Sequence, residues 1–162
     1  MVTSIANTES VTRILRRDWF DGGRLMHVAF ALRKGEPYIS VNRPSVESYN
    51  DDVRSFVLDH LDYAFGDDLH EYCGATLNVG DIRDIHVILD GDAIDIDVDV
   101  ESRDTHAKSH AGIFTRYDNK NLTIGKQISI GCDMRAVSTD DILLKVRLQL
   151  LHKSTCIRME LK

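Results

Sequence analysis

Disulfide pairs, long apolar runs, proline-rich linkers and nucleotide-binding signatures are all missing from this chain. Its three cysteines, Cys73, Cys132 and Cys156, are odd in number and widely spaced, with no C-x-x-C pair. That spacing excludes a disulfide framework and a thiolate zinc site, and it leaves buried free thiols as the expectation. No segment approaches about 18 uninterrupted apolar residues, and the start of the chain has no apolar run behind a charged stretch, so a cytoplasmic protein without a membrane partner is expected. The two prolines, Pro37 and Pro44, mark no linker; nothing repeats and no stretch is of low complexity, so residues 1–162 read as one domain. There is no glycine-rich phosphate loop, no G-x-S-x-G and no kinase-like set. Aromatic residues do not interleave with lysines and arginines as single-strand binders require. With 26 acidic against 20 basic side chains the formal charge is -6, which disfavours a phosphate backbone or an anionic membrane. No nucleic acid, metal or cofactor is expected.

What is present is mostly strand. The segment "AIDIDVDVE" alternates Ile94, Ile96, Val98 and Val100 with Asp95, Asp97, Asp99 and Glu101, predicting a strand with one face in the core. Carboxylates at alternate positions lie roughly 7 Å apart along a strand, so the acidic face reads as solvated rather than as a metal site. "LMHVAFAL", Leu25 to Leu32, predicts a buried strand that turns at "RKGEP" and returns as "YISV", a hairpin. Glu9 to Phe20 fits either a helical face or an extended edge. Asn50 is placed to cap a helix carrying Asp51 and Asp52 in its first turn, with Val53, Phe56, Val57, His60, Leu61 and Ala64 on one face and a stop at Gly66. "ATLNVGDIRDIHVIL" reads as strand, short helical turn, strand. "HAGIFT" is the next strand, and Asp118 to Asp133 form a loop or weak hairpin. Ser138 with Asp141 resembles a capping box ahead of a helix lined by Ile142, Leu143, Val146 and Leu150, and "TCIRMELK" closes as a strand. The sum is an α+β fold: a mainly antiparallel, twisted or barrel-like sheet with two principal helices.

Three places could carry chemistry. In "RDTHAKSHAGIF" the strand reading sets His106 and His110 roughly 13 Å apart, too far for one ion. His106 then reads as a loop histidine. His110, beside Ser109, is a candidate proton carrier or oxyanion donor. In "YISVNRPS", Ser40 and Asn42 share a strand face, and Arg43 could hold a phosphate or carboxylate through two parallel bonds. Cys73 in "EYCGAT" is a conceivable nucleophile. "SHAGIF" resembles the histidine strand "HVGIY" of the NlpC/P60 papain-like hydrolases, which implies a cysteine and histidine pair, although the residues after Cys73 read as strand rather than as the helix start that lowers a thiol pKa.

In order, "RILRRDWFDGGRLMHVAFALRKGEPYISVNRPS", a middle helix and "DIDVDVESRDTHAKSHAGI" resemble a family of small uncharacterised bacterial proteins. Its pattern is an arginine pair before a tryptophan, a phenylalanine before a polar turn, an L-S-V strand and a closing S/P-x-H-A-x-I element. Here these are Arg16, Arg17 and Trp19, then Phe30, then Ile39 to Val41, then Ser109 to Ile113, covering roughly the first two-thirds of the chain. The resemblance implies that the separated polar elements form one pattern. If "YISV" and "HAGIF" lie side by side, Ser40 and His110 become candidate catalytic groups, with Arg16, Arg17, Asn42, Arg43 and Ser109 as ligand contacts. Such a cleft suits a small anionic, nucleotide-like ligand. Two other classes stay open: a protein-interaction module in which the polar signature is structural, and the thiol hydrolase.

Overall fold

Alternation of buried and exposed side chains builds the sheet of this protein, whose computed structural model describes residues 4–105 and 107–162. Its strands are, in chain order, β1 (Ser10–Ile14), the two-residue hairpin β2 (Phe20–Asp21) and β3 (Arg24–Leu25), and β4 (Tyr38–Asn42). Helix α1 (Tyr49–Asp59) follows, then β5 (Glu71–Asn78), α2 (Val79–Arg83), β6 (Val87–Leu89), β7 (Asp92–Ile94) and β8 (Ile96–Ser102). The remainder is β9 (His110–Tyr117), β10 (Lys120–Asn121), β11 (Gln127–Ile130), β12 (Arg135–Ser138), α3 (Thr139–Lys153) and β13 (Thr155–Glu160). Seven strands form one sheet in the order β8, β9, β4, β1, β5, β13, with β10 joining β9 where β4 has ended. The described pairings are all antiparallel.

The fold class is thus α+β with an antiparallel sheet, and the sheet is open: β8 and β13 are its edges, and it does not close into a barrel. Beside the two principal helices there is a third, the five-residue α2, where a short helical turn was expected. One sheet face carries Val11, Val41, Ala75, Leu77 and Ile113 and packs with Ile142, Val146 and Leu150 of α3. The other carries Ile14 and Tyr72 beneath Tyr49, Val53 and Val57 of α1. Covered on both faces, β5 buries Tyr72 on one side and Cys73, Ala75 and Leu77 on the other, whereas β4 keeps Ser40 and Asn42 on its α1 side and the peripheral β8 keeps its clean alternation. Ser138 caps α3 through Oγ, which accepts from the Asp140 amide.

Four expectations are corrected. Leu25 to Leu32 is not a strand: only Arg24–Leu25 is extended, and His27–Phe30 form a 3-10 turn that buries Ala29 and Phe30. β4 therefore pairs with β1 and β9, not with a hairpin partner. Helix α1 starts two residues earlier than an Asn50 cap requires, behind Ser48, and ends at Asp59 with a separate 3-10 turn at Leu61–Tyr63. Phe56 and Leu61, expected on the core face, are 37% and 51% exposed. Of the cysteines only Cys73 is buried; Cys132 and Cys156 are exposed. Among the described residues no helix is long and apolar enough to cross a membrane.

Candidate functional site

The pairing of β4 with β9 sets Asn42 opposite His110 and Ser40 opposite Gly112. Residues opposite one another share a face, so Ser40, Asn42 and His110 all project toward the α1 side. Asn42 and His110 are about 5 Å apart at Cβ, with Ser40 on the diagonal at about 7 Å. Gly112 completes the floor, and it must lack a side chain: a Cβ there would sit 2.6 Å from Cδ2 and 2.8 Å from Cγ of Tyr38. Phe56 of α1 and Tyr63 of the turn after it overhang this floor, leaving a cavity of about 290 Å³. A second cavity of about 440 Å³ shares Arg13, Ser40, Phe56 and Tyr63 and runs on to Arg33 and Glu36. Together they form one groove. Its aromatic wall is organised: Phe56 lies 4.7 Å from the His60 ring and 4.7 Å from the Tyr63 ring, centroid to centroid.

Arg13 is the cation at the base of both cavities. It occupies the position between Val11 and Leu15, both fully buried, where the alternation of β1 calls for an apolar side chain. β1 and β4 share one register pair, Thr12↔Asn42, and beyond it the guanidinium links the two strands. Nε donates to the Ala29 carbonyl at 3.0 Å, Nη1 donates to the Ser40 carbonyl at 2.8 Å, and the group stacks over Trp19 at 4.9 Å. Some of its surface stays open to solvent, yet burial pulls its pKa down to about 10; Tyr63 and Glu36 oppose the fall and Arg33 adds to it. Arg13 is therefore charged at neutral pH, with two carbonyls as hydrogen-bond acceptors and no carboxylate in salt-bridge contact among the described residues.

The other arginines are placed differently. Arg43 makes a two-pronged pair with Glu9, Nε to Oε1 and Nη2 to Oε2 at 3.0 Å each. Arg16 pairs with Asp18 and Asp62, and Arg17 donates to the carbonyls of Leu61 and Ala64. Arg16 borders the larger cavity, whereas Arg17 and Arg43 line neither. Ser109 is buried and accepts from Asn42 Nδ2 at 2.9 Å, and its amide donates to Asp52 Oδ2 at 3.0 Å. His106 lies outside the described residues. Cys73 and His110 are not brought together: roughly 14 Å of sheet separates β5 from β9. Cys73 belongs to the core on the α3 side, and burial pushes its thiol pKa up. The acidic face of β8 is partly neutralised, Asp99 by Arg83 and Glu101 by Arg116, and the described residues form no metal-ligating cluster.

Asp52 ties the loop before β9 to α1, and so holds His110 in position. Burial pushes its pKa up, but hydrogen bonds from Ser109 and Ser48 with the nearby Lys108 outweigh this and hold the carboxyl below its usual range. A lowered folded pKa gives a contribution that is complete above about pH 4 and disappears as pH falls through the depressed value. Replacing Asp52 by Asn is expected to cost about 1 kcal/mol near neutrality and to flatten the acid limb of the stability profile. Denaturant midpoints measured for both proteins across that limb check this, and parallel limbs would refute it.

Sequence reasoning missed Arg13, Asp52 and the aromatic pair Phe56 and Tyr63. The signal for Arg13 was present in "VTRIL", an arginine at the core phase of an otherwise apolar alternation. The signal for Phe56 was not, because its helical face looked like core. A scan against family models and searches of curated proteins and of solved structures each gave no match for this chain.

Proposed function

We propose that the groove binds a small organic anion with a flat ring, nucleotide-like in combining a charged group with an aromatic one. Arg13 takes the anion, and the exposed hydroxyl of Ser40 with Asn42 and His110 fixes its orientation along the β4–β9 floor. Phe56 and Tyr63 accept the ring by stacking. One observation carries this reading: a guanidinium kept charged at the base of an aromatic-walled groove, with Arg33 and Glu36 lining the same space and, among the described residues, no carboxylate in salt-bridge contact with Arg13. An anion between the two cations relieves their repulsion and offsets the burial cost that lowers the Arg13 pKa. Ligand binding, rather than thiol chemistry, is what this arrangement of groups suits.

The test is a thermal-shift screen against nucleotides, phosphorylated metabolites and inorganic phosphate, followed by calorimetric titration of the best ligand. At least one aromatic anion is expected to raise Tm, and Ser40→Ala and His110→Ala are each expected to weaken its binding about tenfold. Absence of any ligand-dependent shift sinks the reading, as does an affinity indifferent to both substitutions.

A further inference from the structure

The two edges of the sheet are treated unequally. The outer side of β8 is covered: Ser4 forms a bridge to Glu101, and Arg83 donates to the Val100 carbonyl and pairs with Asp99. The outer side of β13 is bare among the described residues, although this strand has six residues, no proline and no bulge in its register with β5. An uncovered regular edge is a template for another strand. Its side chains are equally unguarded. Cys156 is exposed, Met159 is 40% exposed, and Ile157 and Leu161 are half-buried.

The charges on this strand are incomplete in a specific way. Glu160 lies directly opposite Glu71 on β5, an unfavourable like-charge pair, and Arg158 donates to Glu71 at 2.6 Å. Glu160 has no cation of its own among the described residues. From this we infer that β13 pairs antiparallel with β13 of a second copy of this chain, about a two-fold axis at Met159. For a two-fold perpendicular to the sheet, opposed residues must share a face, which leaves axes through Ile157, Arg158 or Met159 near the strand centre. An axis at Arg158 opposes two guanidiniums, and one at Ile157 gives Glu160 no partner. The axis at Met159 alone sets each Arg158 against the other copy's Glu160. On the opposite face the same register places Ile157 against Leu161 and Met159 against itself. Leu161 already packs with the apolar cluster under α1, so the pairing joins two such clusters across the axis. β13 lies beyond β5 and β1 from the β4–β9 floor, so this surface is independent of the proposed ligand groove.

Sedimentation equilibrium of the full chain is expected to give twice the 18.3 kDa chain mass. Met159→Lys, which opposes two cations on the axis, and Glu160→Lys, which opposes a cation to Arg158, are each expected to restore the single-chain mass. Circular dichroism and thermal melting confirm that the variants fold. Register is read separately: with Cys132 and Cys156 replaced by serine, Met159→Cys should cross-link with itself on oxidation, since antiparallel partners lie within disulfide reach, while Ile157→Cys, opposite Gly74 within its own chain, should not. A single-chain mass across the accessible concentration range overturns the inference. So does a dimer that survives both lysine substitutions, or one whose Met159→Cys form fails to cross-link.

Discussion

Replacing Arg13 with methionine is expected to abolish most ligand binding, weakening it about hundredfold, while lowering stability by about 2 kcal/mol. The affinity figure follows from removing a desolvated charge that faces an anion, worth at least 2–3 kcal/mol, at about 1.4 kcal/mol per tenfold. The stability figure is smaller than two lost charge-assisted bonds suggest. The Ala29 and Ser40 carbonyls lose their donor, at roughly 1.5–3 kcal/mol each, but the chain no longer buries a charge, which offsets part of the loss. Arg13→Lys separates the two contributions. It keeps the charge but cannot reach two carbonyls and an anion through a planar fork, so binding should recover only partly. Calorimetric titration beside urea unfolding measures both; unchanged affinity in Arg13→Met with intact folding would remove Arg13 from the site.

Phe30→Ala carries the largest expected stability loss, about 3–5 kcal/mol, because the side chain is 1% exposed and packs in the main core, leaving a void that neighbours cannot fill. Its consequence reaches the groove. Phe30 ends the 3-10 turn whose Ala29 carbonyl accepts from Arg13, so a loosened turn lets the guanidinium move. The expected signature is a large fall in denaturant midpoint together with a several-fold loss of ligand affinity, although Phe30 lines neither cavity of the groove. A fall in stability with affinity untouched would show that the turn does not position Arg13.

That turn also shows where local reading stops. "LMHVAFAL" has the composition of a buried strand, and in isolation nothing distinguishes it from one. What decides is tertiary: the segment packs against α3 rather than joining the sheet, and a 3-10 turn buries Ala29 and Phe30 without a strand partner. By contrast, the alternation in β8 and the i, i+4 stripe of α3 are set by each element's own face and were legible directly. The adjacency of β4 and β9 has no local signature, since some seventy residues separate Asn42 from His110 and only the folded sheet makes them neighbours. The arginine of the groove was misassigned for a related reason. Arginines at strand ends look available, and Arg16, Arg17 and Arg43 were singled out there, but each finds an acceptor within the fold. Arg13, at a core position, differs from those three in having only backbone carbonyls, those of Ala29 and Ser40, as acceptors and no carboxylate in salt-bridge contact among the described residues.

Strand β5 is flanked by β1 and β13, one made before it and the other long after. During vectorial synthesis β5 can zip onto β1 as soon as it emerges, but its second side stays open until Thr155–Glu160 have left the ribosome. Throughout that interval Tyr72, Cys73, Ala75 and Leu77 sit on a half-finished surface. The nascent chain is therefore most vulnerable to misassociation between those two moments, and a chaperone acting on this protein would find its work there.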